Sequence, residues 1–132
     1  MGHKYDWASI PSYIPKVMKA FPLTIEILLL SLFFSLIIGA LVAVGALSKN
    51  KVARAVTKGW ISFMRGIPTL VLIFLLYLGL PQLMNALGVN MSGISKTTYI
   101  VACLALSTSA NMAEMMLSLI HISEPTRHAQ IS

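Results

Sequence analysis

Charge is scarce in this sequence of 132 residues: only 11% of them are charged, and only four are acidic. Soluble proteins carry roughly 25% charged residues, and so thin a coat cannot cover a surface in water. Hydrophobic residues make up 57% of the chain, and a surface that faces lipid needs no polar coat. Cysteine is almost missing as well. Cys103 stands alone, so no intramolecular disulfide can form, and in its apolar run it reads as an inert, buried thiol. The Gly-rich loop that cradles phosphate is absent, so the chain itself is not expected to bind ATP or any other cofactor. Outside the last residues no Ser/His/Asp or Cys/His set is found, and no metal-ligand spacing occurs, so the expectation is a protein that is not an enzyme. No secretory signal is evident either. The first apolar block is as long as a full membrane span, beyond the roughly 7–15 residues of a signal core.

The charge that is present is placed unevenly. A net charge of +6 in a soluble protein would suggest a nucleic-acid partner. Here five of the ten basic residues, Lys49, Lys51, Arg54, Lys58 and Arg65, fall between two apolar blocks. The aromatic residues among them, Trp60 and Phe63, fall together before Arg65 and do not alternate with the basic residues as on a base-stacking surface. The pattern is that of a cytoplasmic loop obeying the positive-inside rule, and no nucleic-acid partner is expected. The N-terminus is then expected outside a multi-pass membrane protein, with lipid as its first partner.

Residues 1–21 read as an external amphipathic segment. Ile10, Ile14, Val17, Met18 and Phe21 recur at helical spacing, Lys16 and Lys19 lie on other faces, and Tyr5, Trp7 and Tyr13 suit a membrane interface. The stretch 22–116 is expected to hold three transmembrane helices, at about 22–47, 60–84 and 97–116, in an all-α membrane fold. The uncharged 21 residues Ile27–Leu47 would extend roughly 32 Å, close to the hydrocarbon thickness. Ser31, Ser35, Gly39 and Ala43 repeat every fourth residue and form a stripe on which another helix can approach closely. Glu26, at the outer edge of this span, is read as a solvated interfacial carboxylate. In the second span, Pro68 removes a backbone donor and drives Ile67 out of helical angles, so a bend or break is expected there. In the third, Ser107, Asn111 and Glu114 share one face at i, i+4 and i+7. They are candidates for a pathway or for interhelical hydrogen bonds. Arg65 is a candidate to order the bend by bonding freed carbonyls, to pair with an acidic partner, or to serve as a snorkelling interfacial charge. The eight Met residues are filler at apolar positions.

The order of several short motifs resembles the permease family of ABC-type polar amino acid importers, the histidine/glutamine/arginine/cystine type. The segment WISFMRGIPTLVLIFLLYLGLPQL, residues 60–83, is similar to that family's aromatic stretch, Arg-Gly-Thr-Pro, apolar run and Tyr-x-Gly/Ala-Leu-Pro. Arg65, Gly66 and Pro68 match the first half, with Ile67 in place of Thr; Tyr77, Gly79, Leu80 and Pro81 match the second. Ala110, Ala113 and Glu114 fit a later Asn-Ser/Ala-Ala-Tyr-x-Ala-Glu pattern, with Asn111 where Tyr is usual. The resemblance covers residues 10–116. It implies part of a type I importer (MetI-like) permease fold that moves a polar amino acid into the cell. It also implies a second permease subunit, the same chain or a different one. A cytoplasmic ABC ATPase would hold the ATP, and an extracytoplasmic amino acid-binding protein would deliver the cargo. The rival readings are another membrane permease or channel, or a small non-transporting three-span membrane protein.

Residues 117–132, LSLIHISEPTRHAQIS, resemble the translation of a transposase-type sequencing adapter followed by an index. The reading is a non-native tail on an N-terminal permease fragment that is inactive alone. His121, Glu124 and His128 within it match no metal-ligand spacing.

Overall fold

The computed structural model describes residues 6–131, with side chains for residues 6–121; Tyr5, Glu124 and His128 therefore lie outside the described side chains. Among the described residues all regular secondary structure is helical and no strand occurs. A single 3-10 turn, Trp7–Ser9, leads into α1, Ile10–Ala46. Then come α2 (Lys51–Gly66), α3 (Thr69–Phe74), α4 (Leu80–Ala86) and α5 (Lys96–Ile131). Three helical stretches are long and apolar enough to cross a membrane: Trp7–Ala46, Thr69–Ala86 and Lys96–His121.

The stretch read as an external segment plus a first span is one continuous helix. Pro15 and Pro22 lie inside α1, where each withholds one backbone donor without ending the helix. At about 1.5 Å per residue, its 37 residues reach roughly 55 Å, well beyond a hydrocarbon core of about 30 Å. A tight turn closes it, with the Leu47 amide donating to the Ala43 carbonyl and the Ser48 amide to that of Gly45. Asn50 then caps α2, its Oδ1 accepting from the Val52 amide at 3.0 Å.

The segment expected as one bent span divides in two. Ile67 is extended, at φ −94° and ψ 125°, because the ring of Pro68 excludes the helical region for the residue before it. The membrane-length helical stretch therefore begins at Thr69, and α2 is a separate helix. Between α3 and α4, Leu75–Gly79 is a π-helical stretch in which the Leu80 amide donates five residues back to the Leu75 carbonyl. Pro81 follows in the first turn of α4 and cannot donate to Tyr77. Gly88, at φ +83°, closes α4, and the Val89 amide reaches back to the Met84 carbonyl at 2.8 Å. Ser95 Oγ accepts from the Thr98 amide to start α5. That helix does not stop at Met116 but continues through Pro125.

Helices α1 and α5 form the frame. Phe34 borders Thr98 and Val101, Gly39 faces Ser109 and Met112, and Ala43 clusters with Ala113 and Met116. The register rises together, so the two helices run in the same direction, as helices separated by one return crossing must. Their seam is built from small residues: Ser31, Ser35, Gly39 and Ala43 are all buried, opposite buried Ala105, Ser109 and Ala113. In lipid no hydrophobic force drives helices together, so backbone approach and packing must do it. A second cluster of Met64, Leu72, Cys103 and Ala110, joined by Trp60 and Ile67, ties α2 and α3 to α5.

A Cβ added to Gly39 would lie 2.9 Å from Met112 Cβ and 3.1 Å from the Ser109 carbonyl oxygen, whereas one at Gly59 meets nothing within 4 Å. Gly39→Leu should therefore cost about 1–3 kcal/mol by overpacking. Gly59→Ala should be neutral or slightly stabilising. Unfolding of the detergent-solubilised chain, followed by circular dichroism, distinguishes the two.

Candidate functional site

Polar side chains are few in the apolar part of the chain, and the break at Pro68 gathers several of them on one face of α5. Arg65 sits in the last turn of α2. Its Nη1 donates to Glu114 Oε1 at 2.7 Å and lies 2.6 Å from Oε2, an ion pair between residues far apart in the chain. The two side chains are 51% and 48% exposed, so the pair lies on the surface of this chain. Two residues past Ile67, Thr69 turns its hydroxyl to Ser107, with 3.5 Å between the oxygens. The Thr69 carbonyl accepts a weak hydrogen bond from Cys103 Sγ at 3.9 Å. Asn111 is exposed on the same face of α5, between Ser107 and Glu114. Residues 65, 69, 107, 111 and 114 thus form one polar strip along the junction of α2, α3 and α5. Its Glu114 end neighbours Ala113, which packs with Ala43 and Ile61, near the end of α1 that carries the basic helix.

This strip can bind and orient polar groups through one cation, one carboxylate, an amide and two hydroxyls. It offers no activated nucleophile. Arg65 and Glu114 were singled out separately in the sequence, and the structure brings them together. The stripe of Ser31, Ser35, Gly39 and Ala43 lies elsewhere, inside the α1–α5 seam. Of the motif residues at the bend, Pro68 makes the break, while Gly66 remains helical and a Cβ there would meet nothing within 4 Å. Gly79 falls in the π-helical stretch, where a Cβ would only touch Leu75 Cδ1 at 3.6 Å. Thr69 was not anticipated. The available signal was a hydroxyl directly after a proline break, where the first backbone donors of the new helix have no partners within it. Also unforeseen was the edge-on contact of Tyr77 with Tyr99, with ring centroids 5.7 Å apart.

No protein-family model matches the sequence. Several curated proteins do. The chain is 36% identical over 110 residues to the probable amino-acid permease protein YxeN of Bacillus subtilis, covering 83% of this chain and 47% of that one. It is 31% identical over 116 residues to the L-cystine transport system permease protein TcyL of the same organism, covering 88% and 48%. To the nopaline transport system permease protein NocM of Agrobacterium fabrum it is 30% identical over 105 residues, covering 77% and 44%. Among solved structures, a crystal structure of an amino acid ABC transporter with histidines matches with a TM-score of 0.79 and 26% identity. That match covers 95% of this chain and 55% of the other. The chain thus spans about half the length of the curated relatives it matches.

The ion pair can be tested directly. Glu114→Gln and Arg65→Gln should each destabilise the chain slightly, because each removes one half of the ion pair. The double substitution should cost less than the sum, with a coupling of about 1 kcal/mol. A double-mutant cycle by denaturant unfolding in detergent measures it, and strict additivity would show that the pair contributes nothing.

Proposed function

From its homology to amino-acid ABC transporter permeases, we propose that this chain is permease-subunit sequence of an importer that carries a polar amino acid into the cell. In this reading it lies in the bacterial plasma membrane with α2 on the cytoplasmic side and the start of α1 outside. A second permease subunit completes the pathway, a cytoplasmic ABC ATPase hydrolyses ATP, and an external binding protein presents the amino acid. The permease performs no covalent chemistry; it alternates its exposure to the two sides.

The observation that carries this reading is the polar strip of Arg65, Thr69, Ser107, Asn111 and Glu114 on a helical frame otherwise built from apolar and small residues. Ionisable groups in spans are costly and cluster where substrates or ions pass. A zwitterionic amino acid presents an ammonium and a carboxylate, and the strip presents a carboxylate and a guanidinium of complementary sign. The pair ties α2 to α5, and the break at Pro68 lets that pair of helices move relative to α3 without bending a continuous helix. The relatives named for L-cystine and nopaline support the substrate class.

Deleting the gene in its host and measuring uptake of a panel of labelled amino acids tests the proposal. Uptake of at least one polar amino acid should fall to background and return on complementation. Unchanged uptake across the panel would overturn it. A complementing copy with Glu114→Ala should restore less than about a tenth of the uptake, the loss of roughly 1.4 kcal/mol or more.

A further inference from the structure

We propose that α2 is a binding face for anionic phospholipid, with its lysines on the lipid phosphate and its exposed apolar strip against the acyl chains. This concerns how the chain is held in its membrane and does not rest on the transport reading.

Three faces of α2 differ in character. Ile61 and Met64 are buried against the rest of the chain. Lys51, Arg54 and Lys58 recur at i, i+3 and i+7, so they line a second face. Val52, Val56 and Phe63, at i, i+4 and i+11, are 69%, 65% and 56% exposed. They line a third face, about 130° round the helix from the lysines across the exposed small residues Ala55, Gly59 and Ser62. Lys49 precedes the helix. The four basic residues are not equivalent. The Arg54 guanidinium donates to the Ser48 carbonyl from Nε at 3.3 Å and from Nη2 at 3.1 Å, which fixes it against the turn. Lys49, Lys51 and Lys58 are exposed, and no carboxylate stands in the sequence between Glu26 and Glu114 to neutralise them. Glu114 is already engaged by Arg65.

Position then selects the occupant. The short links Leu47–Asn50 and Ile67–Pro68 tether both ends of α2 to membrane-length helices, so it cannot leave the bilayer surface. Leu41 and Val44, near the adjoining end of α1, are exposed and apolar too. An acidic protein surface would satisfy the lysines and leave Val52, Val56 and Phe63 in water. An apolar helix would do the reverse. An anionic bilayer satisfies both strips, with acyl chains against the apolar one and phosphates reached by the long lysine stems that extend round the helix, and each basic residue near an anionic bilayer surface strengthens binding about fivefold.

Trp60 on α2 is a built-in reporter, and Trp7 at the far end of α1 is the only other indole. The whole chain carrying Trp7→Phe is reconstituted into phosphatidylcholine vesicles containing either brominated phosphatidylglycerol or brominated phosphatidylcholine at equal mole fraction. Quenching of Trp60 should show a preference for the anionic lipid of about fivefold or more, the amount one lysine supplies. The preference should collapse at about 1 M salt, where screening acts over roughly 3 Å. It should disappear in K49Q/K51Q/K58Q and persist in K49R/K51R/K58R. Equal quenching by the two lipids or a preference insensitive to salt would overturn the proposal. Trp60 is itself partly buried against α5, so protection from both lipids overturns it when an indole moved to the exposed strip, Val56→Trp with Trp60→Phe, is protected too, which would assign the face to a protein. The salt series uses the unsubstituted lysines, so it decides even where a triple variant inserts poorly.

Discussion

Helices α1 and α5 meet where Gly39 carries only a hydrogen, which leaves room for the Ser109 carbonyl and Met112 Cβ of α5. Neither helix gains by hiding apolar surface from lipid, because lipid tails are as apolar as leucine. What holds them is dispersion over a seam of small side chains, and dispersion falls off steeply once a gap opens. Ser35 and Ser109 are fully buried in that seam, and each spends its hydroxyl on a carbonyl of its own helix, Leu32 and Leu106. Neither asks for a partner across the gap, so the backbones can close. The positions of α2 and α3 follow, since both pack on α5.

The second constraint is the proline at residue 68. A continuous helix from Lys51 to Ala86 would carry Arg65 on a rigid rod. Extended backbone at Ile67 turns the chain, so α2 docks Ile61 and Met64 against the frame while Thr69 restarts the helix beside Cys103 and Ser107. Restarting leaves unpaired backbone donors, which lipid cannot satisfy. The break is tolerable because it lies against protein: Leu72 and Cys103 are buried beside it. The same break sets the end of α2, and so Arg65, within reach of Glu114.

The all-helical character and the three membrane-length stretches were legible in the sequence, because long apolar runs leave the backbone no other way to satisfy itself in lipid. The seam was legible for a related reason. A four-residue repeat of small side chains has a fixed angular meaning on a helix. Helix ends were less legible. Pro15 and Pro22 suggest a boundary before residue 22, yet a proline withholds one hydrogen bond among many and α1 runs through both. Conversely, the apolar residues Trp60 to Met64 read as part of a span, and only Ile67's extended backbone separates them from it. The polar strip could be read by face on α5 but not by partner. Periodicity places residues on one helix and says nothing of which helix crosses it, so the pairing of residues 65 and 114 required coordinates.

Charge counting narrows that pairing after the fact. From residue 27 to residue 123 the sequence has a single carboxylate, Glu114, and six basic side chains. Lys96 lies at the opposite end of α5, a long helix away. Lys49 and Lys51 stand at the start of α2, and Arg54 is turned to the Ser48 carbonyl. Lys58 lies two turns before Arg65, further from the break. Arg65 alone is carried to the face of α5 by packing that buries Met64 beside it. An arginine suits the position, since one nitrogen of its planar guanidinium reaches both carboxylate oxygens. The scarcity of acid that first marks the sequence as membranous therefore also decides which charges can meet, and leaves the remaining lysines facing outward from α2.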